Sequence, residues 1–285
     1  MKSKIGIIGK GFVGSAVEFG FSAQTGGNAE IRIYDKDPSK TTHTLRETVN
    51  DSDYIFLSVP TPAKLDGSND LSILESVLYD INNINDRIDN IILIRSTIIP
   101  GTTSKLQEMY PKLNLVFNPE FLTERSAKFD FINQSRVILG GKSYVTAPVA
   151  ELYRLRFGSS LPIIETSYET AELIKYMNNC YFATKVSFMN EMKLIADAID
   201  ADWTMAVEGF VRDGRIGHSH LNVPGPDGKA GFGGSCFPKD IQAMITYGNE
   251  LGIEMNTLKG AWTTNLNVRP EQDWKQLKGR AISDE

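Results

Sequence analysis

Cys236 stands in the run Gly231-Phe232-Gly233-Gly234-Ser235-Cys236-Phe237-Pro238-Lys239-Asp240. A helix is expected to start near Pro238, so the cysteine lies at a helix start with Lys239 close by. Both features favour the thiolate, which is the nucleophilic form of sulfur. The glycines before it are expected to open the backbone to a ligand. Cys180 falls inside an apolar helical pattern and reads as a small buried hydrophobe.

A second constellation opens the chain. Gly9-Lys10-Gly11-Phe12-Val13-Gly14 follows the apolar run 5–8 and precedes the helical pattern Phe12, Val13, Ala16, Val17. A second apolar run, 31–34, ends in Asp35, 21 positions after Gly14. Strand, glycine turn, helix, strand and carboxylate in this order predict a dinucleotide site. The glycines admit the pyrophosphate to the backbone, and the helix amino terminus offers N–H groups and partial positive charge. Asp35 would accept from the ribose hydroxyls and repel a 2′-phosphate, favouring NAD; the neighbouring Lys36 tempers that preference.

The elements that must position these residues divide the chain in two. Runs at 5–8, 31–34, 54–59, 91–95, 113–117 and 137–139 are β-branched and aromatic, and each ends in strand punctuation. Their near-continuous apolarity predicts strands covered on both faces, in a parallel α/β sheet with helical crossovers. Segments 61–70 and 97–103 would be loops at the carboxyl ends of strands, where such sheets bind ligands. From 168 to 200 there is neither Pro nor Gly, and Leu173, Ile174, Met177, Tyr181, Phe188, Met192 and Ile195 recur at helical spacing. One helix of roughly 50 Å is expected there, serving as a connector and as a homodimer seam. Further helices are expected over 202–212 and from Pro238, and the tail from Trp262 reads as polar with scattered aromatics. The fold class expected is α/β: a Rossmann-like NAD-binding domain over 1–165, then a mainly helical domain over 166–285 built on the long helix.

Composition narrows the partners. The 285 residues are 41% hydrophobic and 23% charged with a net charge of −5, a globular profile that offers no polyanion-binding surface. No apolar run reaches the roughly 18 residues that span a bilayer, and no signal-peptide core precedes the first glycines. Neither nucleic acid nor membrane is therefore an expected partner, and a cytoplasmic location is expected. His43, His218 and His220 do not stand at metal-ligand spacing with acidic residues, and no metal is expected.

The sequence resembles the UDP-glucose/GDP-mannose dehydrogenase family. The resemblance rests on the glycine turn, Val59-Pro60-Thr61-Pro62, Ser96-Thr97 with Pro100-Gly101, and Asn118-Pro119-Glu120-Phe121-Leu122-Thr123-Glu124. It continues through Glu172-Leu173-Ile174-Lys175 to Asn179, Asn190-Glu191, Arg215-Ile216-Gly217 and the cysteine loop, in the family's order over nearly the whole chain. The resemblance implies NAD-dependent oxidation of a nucleotide-sugar C6 alcohol to the uronic acid, as in polysaccharide biosynthesis. Cys236 would be the nucleophile, passing through thiohemiacetal and thioester. Lys175 and Asn179, one helical turn apart, would donate to the developing oxyanion. Asp240 would position water or hold Lys175, and Glu120 with Glu124 would place water for proton transfer.

For the cofactor, the resemblance implies Gly9, Gly11, Phe12, Val13, Gly14, Asp35, Lys36, Thr61, Thr97, Glu124 and Lys239. For the substrate it implies Glu120, Phe121, Leu122, Phe232 and Gly233 together with Lys175 and Asn179. Arg215 would reach the nucleotide phosphates, in relatives partly across a dimer interface. Family members carry a third, nucleotide-binding α/β domain; residues 274–280 stand where it would begin, and the chain ends at Glu285. An enzyme working with two domains and a dimer partner is the expectation. A two-electron β-hydroxyacid-type dehydrogenase and a catalytically idle binding protein are the alternatives.

Overall fold

Alternate residues along each strand point to opposite faces of a sheet, and in this chain both sets are apolar. One set (Ile5, Ile7, Phe56, Leu93, Val116, Leu139) joins Val17, Phe21, Phe131, Val149 and Tyr153 in a first core. The other (Ile8, Ile55, Leu57, Ile92, Ile94, Leu115, Phe117) joins Val49, Leu74, Leu78, Ile81 and Leu106 in a second. Each fully buried aliphatic side chain contributes about 1.5–3 kcal/mol, so coverage on both faces follows from the apolar runs.

The computed structural model describes residues 2–284. Its elements run β1 (Lys4–Ile8), α1 (Phe12–Phe21), β2 (Glu30–Tyr34), α2 (Leu45–Asn50), β3 (Tyr54–Leu57), α3 (Ser72–Ile84), β4 (Ile91–Ile94), α4 (Thr102–Met109), β5 (Asn114–Phe117), α5 (Ala127–Ile132), β6 (Val137–Gly140), α6 (Ser143–Phe157), β7 (Ile163–Thr166), α7 (Tyr168–Ala198), α8 (Trp203–Val211), α9 (Phe237–Glu250) and α10 (Asn256–Val268). The strands form one seven-stranded sheet in the order β2-β1-β3-β4-β5-β6-β7. Every neighbouring pair is parallel except β5 and β6, which meet antiparallel at Phe117↔Gly140. The sheet is thus mixed rather than purely parallel, and β7, half-exposed and short, carries no strong apolar run to announce it.

Helix α7 is one unbroken element of 31 residues, about 46 Å long, and Asn178 and Asn179 do not interrupt it. It begins beside Ser167, whose Oγ accepts from Thr170 N at 3.2 Å, and it ends before Asp200, which has φ 54°. The chain groups into two compact units, 1–61 with 71–175 and 62–70 with 176–285. The division between them falls within α7, after Lys175, and segment 62–70 groups with the second unit. In the second unit, segment 62–70 is tied to the C-terminal tail: Ala63 N donates to Ala281 O at 3.0 Å and Ser283 N to Ala63 O at 2.8 Å. In the tail, α10 runs to Val268 and Trp274 is fully buried.

A carboxylate of α7 builds one local structure in the first unit. Glu172 accepts from Gly101 N (2.6 Å), Thr103 N (2.8 Å) and Thr103 Oγ1 (2.6 Å), so it caps the amino terminus of α4. Burial outweighs these donors and pushes its carboxyl up to about 7 from 4.5. The stabilisation from holding it protonated is full below pH 4.5 and is lost as pH rises through about 7. The melting temperature relative to Glu172→Gln is therefore expected to fall across that window. A difference that stays constant with pH would contradict the assignment.

Candidate functional site

The first unit carries a glycine cradle between β1 and α1, beside the point where β2 and β3 leave β1 in opposite directions. Its glycines have three distinct roles. Gly9 has φ +90°, and a Cβ there would lie 2.4 Å from Ser58 O. A Cβ on Gly14 would lie 2.0 Å from Gly9 O, so this glycine lets α1 approach the strand. Gly11 has nothing within 4 Å of its missing Cβ, leaving the cradle open at that position. Phe12 and Val13 form the first turn of α1.

Asp35, just past β2, reaches back to the turn: its Oδ2 accepts from Lys10 N at 2.5 Å, and its Oδ1 accepts from Asp37 N at 2.8 Å. Lys36 is exposed beside it. An open glycine, a helix amino terminus and a carboxylate at the cradle fit a dinucleotide. Gly11→Ala should fold normally, since its Cβ meets nothing, yet bind NAD at least about tenfold more weakly by occupying the pyrophosphate's approach. Unchanged affinity by calorimetry would remove Gly11 from the site.

Loops after β3 and β4 are joined in the same unit. Thr61 Oγ1 donates to Thr97 O at 2.7 Å and Ser96 Oγ to Val59 O at 2.6 Å; Thr61 and Thr97 are buried. After β5 the chain is not helical, so the spacing of Glu120 and Glu124 does not make them neighbours on one face. Glu120 is buried, whereas Glu124 is exposed at the start of a 3-10 turn.

Glu120 is met by Lys175. The ammonium donates to Glu120 O at 2.5 Å and to Oε1 at 3.0 Å, both side chains being almost fully buried. Leu122 N donates to Glu120 Oε2 at 2.7 Å. Burial opposes ionisation of Glu120, but Lys175, the Leu122 N–H and Arg95 together hold its carboxyl below the ordinary value. The Phe121 ring has the Arg136 guanidinium 4.1 Å and the Lys175 ammonium 5.4 Å from its centroid. Sequence reasoning passed over Arg95, which is buried at the end of β4 and donates to Asn118 Oδ1 at 2.6 Å. The available signal was a lone arginine closing an otherwise apolar strand run.

The second unit holds the cysteine cluster. Cys236 is the N-cap residue of α9 and is half-buried. Asp240 N donates to Cys236 O at 2.9 Å, closing the first turn. The Asp240 carboxylate is fully buried; it accepts from Asn179 Nδ2 at 2.6 Å and pairs with the Lys239 ammonium. Asn179 is one turn past Lys175 on α7. Cys180 Sγ lies 3.8 Å from Asp240 O, and burial pushes its thiol up, which makes it unreactive at neutral pH.

Two residues expected at the substrate, Phe232 and Gly233, have close neighbours within the protein itself. The Phe232 side chain is core, packed with Phe237 and Trp262, and Asn265 occupies both its backbone N–H and its C=O. Gly233 is not open to a ligand on its Cα side, since a Cβ would lie 2.5 Å from Arg269 Nη2. Gly234, with φ +73°, has nothing within 4 Å of its missing Cβ, so the backbone is open two residues before Cys236. Arg215 is exposed after α8, its guanidinium held by Asp213 at 2.5 Å. Asn265 and Arg269 escaped sequence reasoning because 262–285 read as a polar tail. Among the described residues no group of three or more His, Cys, Asp or Glu could hold a metal ion, and no helix is long and apolar enough to cross a membrane.

Comparison with known proteins gives two family-model matches in the expected order. Residues 36–156 match the NAD binding domain of the UDP-glucose/GDP-mannose dehydrogenase family, and residues 169–267 match its central domain. UDP-glucose 6-dehydrogenase TuaD of Bacillus subtilis is 32% identical over 256 residues, covering 85% of this chain and 54% of that protein. The chain thus spans about half the length of the curated UDP-glucose 6-dehydrogenases it matches. Among solved structures, a UDP-glucose dehydrogenase from the hyperthermophilic archaeon Pyrobaculum islandicum superposes with TM-score 0.81 at 26% identity, over 94% of this chain and 68% of that one. A Mycobacterium tuberculosis 3-hydroxyisobutyrate dehydrogenase superposes with TM-score 0.74 over 95% of both chains; at 14% identity it shares the fold alone.

Proposed function

Since the chain belongs to the UDP-glucose/GDP-mannose dehydrogenase family by its NAD-binding and central domains, we propose that it oxidises the C6 alcohol of a nucleotide sugar to the uronic acid. UDP-glucose is the first substrate to try, because relatives such as TuaD carry the name UDP-glucose 6-dehydrogenase. The observation that carries the reading is Cys236 at the amino terminus of α9, with Asn179 and Lys239 on the buried Asp240 carboxylate beside it in sequence. A two-electron alcohol dehydrogenase has no use for a nucleophile at that position.

NAD, when bound, would accept the hydride in each of two oxidations, one molecule for alcohol to aldehyde and a second for thiohemiacetal to thioester, each with release of a proton, and Gly9, Gly11, Gly14 and Asp35 would hold each NAD in turn. Cys236 Sγ adds to the C6 aldehyde carbon, forming a C–S bond and an oxyanion. Lys175 and Asn179 are the proposed donors to that oxyanion. After the second oxidation, water attacks the thioester carbon, the C–S bond breaks, and the thiolate leaves as the carboxylate forms. Glu120, held ionised, is the proposed acceptor for the water's proton.

A second copy of this chain is proposed as partner. On α7 of the second unit, Met177, Tyr181, Phe188 and Ile195 recur at helical spacing and are exposed, the pattern of a helix seam awaiting another apolar surface. Phe188→Asp should then convert a dimer into a monomer in sedimentation. A monomeric parent chain would end the proposal.

The test of function is to count NADH formed per sugar consumed, with UDP-glucose, GDP-mannose and UDP-N-acetyl sugars in limiting amount. Two per sugar is expected. One per substrate with smaller alcohols, unaffected by loss of Cys236, would return the two-electron reading suggested by the shared fold with 3-hydroxyisobutyrate dehydrogenase. No NADH from protein that still binds NAD would overturn the enzyme reading in favour of a binding role.

A further inference from the structure

The loop leading into Cys236 contains five glycines between 225 and 234, a composition that by itself predicts mobility. Its surroundings oppose that. Asn265, fully buried on α10, makes a two-point clamp on one residue: its Oδ1 accepts from Phe232 N at 2.7 Å, and its Nδ2 donates to Phe232 O at 3.0 Å. One residue earlier, Gly231 N donates to Asn190 Oδ1 of α7 at 3.0 Å.

Arg269, one turn after Asn265 and also buried, grips the loop further back. Its Nη1 donates to Ala230 O at 3.3 Å, and its Nη2 to Asp227 Oδ2 at 2.7 Å. The Asp273 carboxylate takes Nε at 2.9 Å and Nη2 at 2.7 Å. Two loop glycines are small because of these side chains. A Cβ on Gly231 would lie 2.4 Å from Asn265 Oδ1, and one on Gly233 would lie 2.5 Å from Arg269 Nη2. Helix α10 is in turn anchored to α7, where Ser187 Oγ donates to Ala261 O at 2.6 Å.

We propose that Asn265 and Arg269 are positioning residues for Cys236. They pin residues 227–233 on the amino-terminal side of the sulfur while α9 fixes the carboxyl-terminal side, leaving the backbone open at Gly234, two residues before the nucleophile. Both act through the backbone path of the loop, at Asp227, Ala230 and Phe232. Without the clamp, the loop would sample many conformations, of which few present the thiolate correctly, and a small displacement is enough to cost orders of magnitude in rate. The proposal rests on Cys236 being the reactive thiol.

The test uses the full chain and reads Cys236 in two ways. Alkylation by iodoacetamide measures the thiol without turnover, with Cys236→Ala as the blank and the buried Cys180 contributing little. Steady-state oxidation of UDP-glucose measures the same sulfur at work. In Asn265→Ala, alkylation at neutral pH should be at least about threefold faster as the half-buried thiol becomes accessible. The same variant should lose at least about tenfold in kcat with KM for NAD unchanged. Arg269→Lys, which keeps the charge but cannot bridge Asp227, Asp273 and Ala230 together, should fall between wild type and Arg269→Met, and it keeps the test available if Asn265→Ala does not fold. A purely structural clamp would lower the melting temperature and leave both readings unchanged in the folded variants, and that result would overturn the proposal. Should the parent show no turnover with any sugar, the proposed function fails by itself, and the alkylation comparison still decides the clamp.

Discussion

Cys236→Ala is expected to abolish uronate formation, lowering four-electron turnover by roughly three orders of magnitude or more, while NAD affinity stays at the wild-type value. The two halves of this expectation come from separate places in the chain. The cofactor cradle is built by Gly9, Gly11, Gly14 and Asp35 in the first unit, whereas Cys236 caps α9 in the second. Any NADH the variant still forms should stop at one per sugar, because without sulfur there is no thiohemiacetal to give up a second pair of electrons. Quenched-flow counting of NADH against sugar distinguishes this from a general loss of activity. Wild-type stoichiometry in Cys236→Ala would remove covalent catalysis from the account.

The largest effect on stability should come from Lys175→Met. Its ammonium sits on Glu120 O and Oε1, and neither side chain is exposed enough for water to replace the partner. Removing one member of a buried pair leaves an uncompensated charge, at a cost of about 3–5 kcal/mol. For a chain of this size that is a drop of roughly 10 °C in melting temperature. The double variant Lys175→Met/Glu120→Gln should recover much of the loss, because it removes the stranded carboxylate as well; additive effects in the double-mutant cycle would mean the pair does not interact. Glu120 also sets a pH dependence. Its folded-state carboxyl lies below the ordinary value of 4.5, so its contribution is present above pH 4.5 and is lost as pH falls through the folded value. The Lys175→Met variant should lack that acid-side transition.

Local patterns carried most of the architecture. The strand runs, the 21-residue interval from Gly14 to Asp35 and the unbroken periodicity of 168–200 all report on short-range geometry, and the sheet and α7 follow from them. The Cys236 helix start was legible because Pro238 and the glycines are local signals. What escaped depends on partners distant in sequence. The antiparallel meeting of β5 and β6 is a property of two strands, and neither strand's composition states it. Likewise, nothing within 118–124 says that Glu120 turns inward to Lys175 while Glu124 faces solvent.

The glycines of the cysteine loop show the division most clearly. Sequence determined that residues 231, 233 and 234 have no side chains, and hence that something must come close to the backbone there. Only the tertiary structure decided what comes close. At Gly231 and Gly233 it is the protein's own Asn265 and Arg269, from a helix hidden in a polar tail, and at Gly234 the space is open. A glycine records that a Cβ would collide or strain the backbone. It carries no record of the colliding group, because that group is supplied by residues more than thirty positions away, brought there by folding.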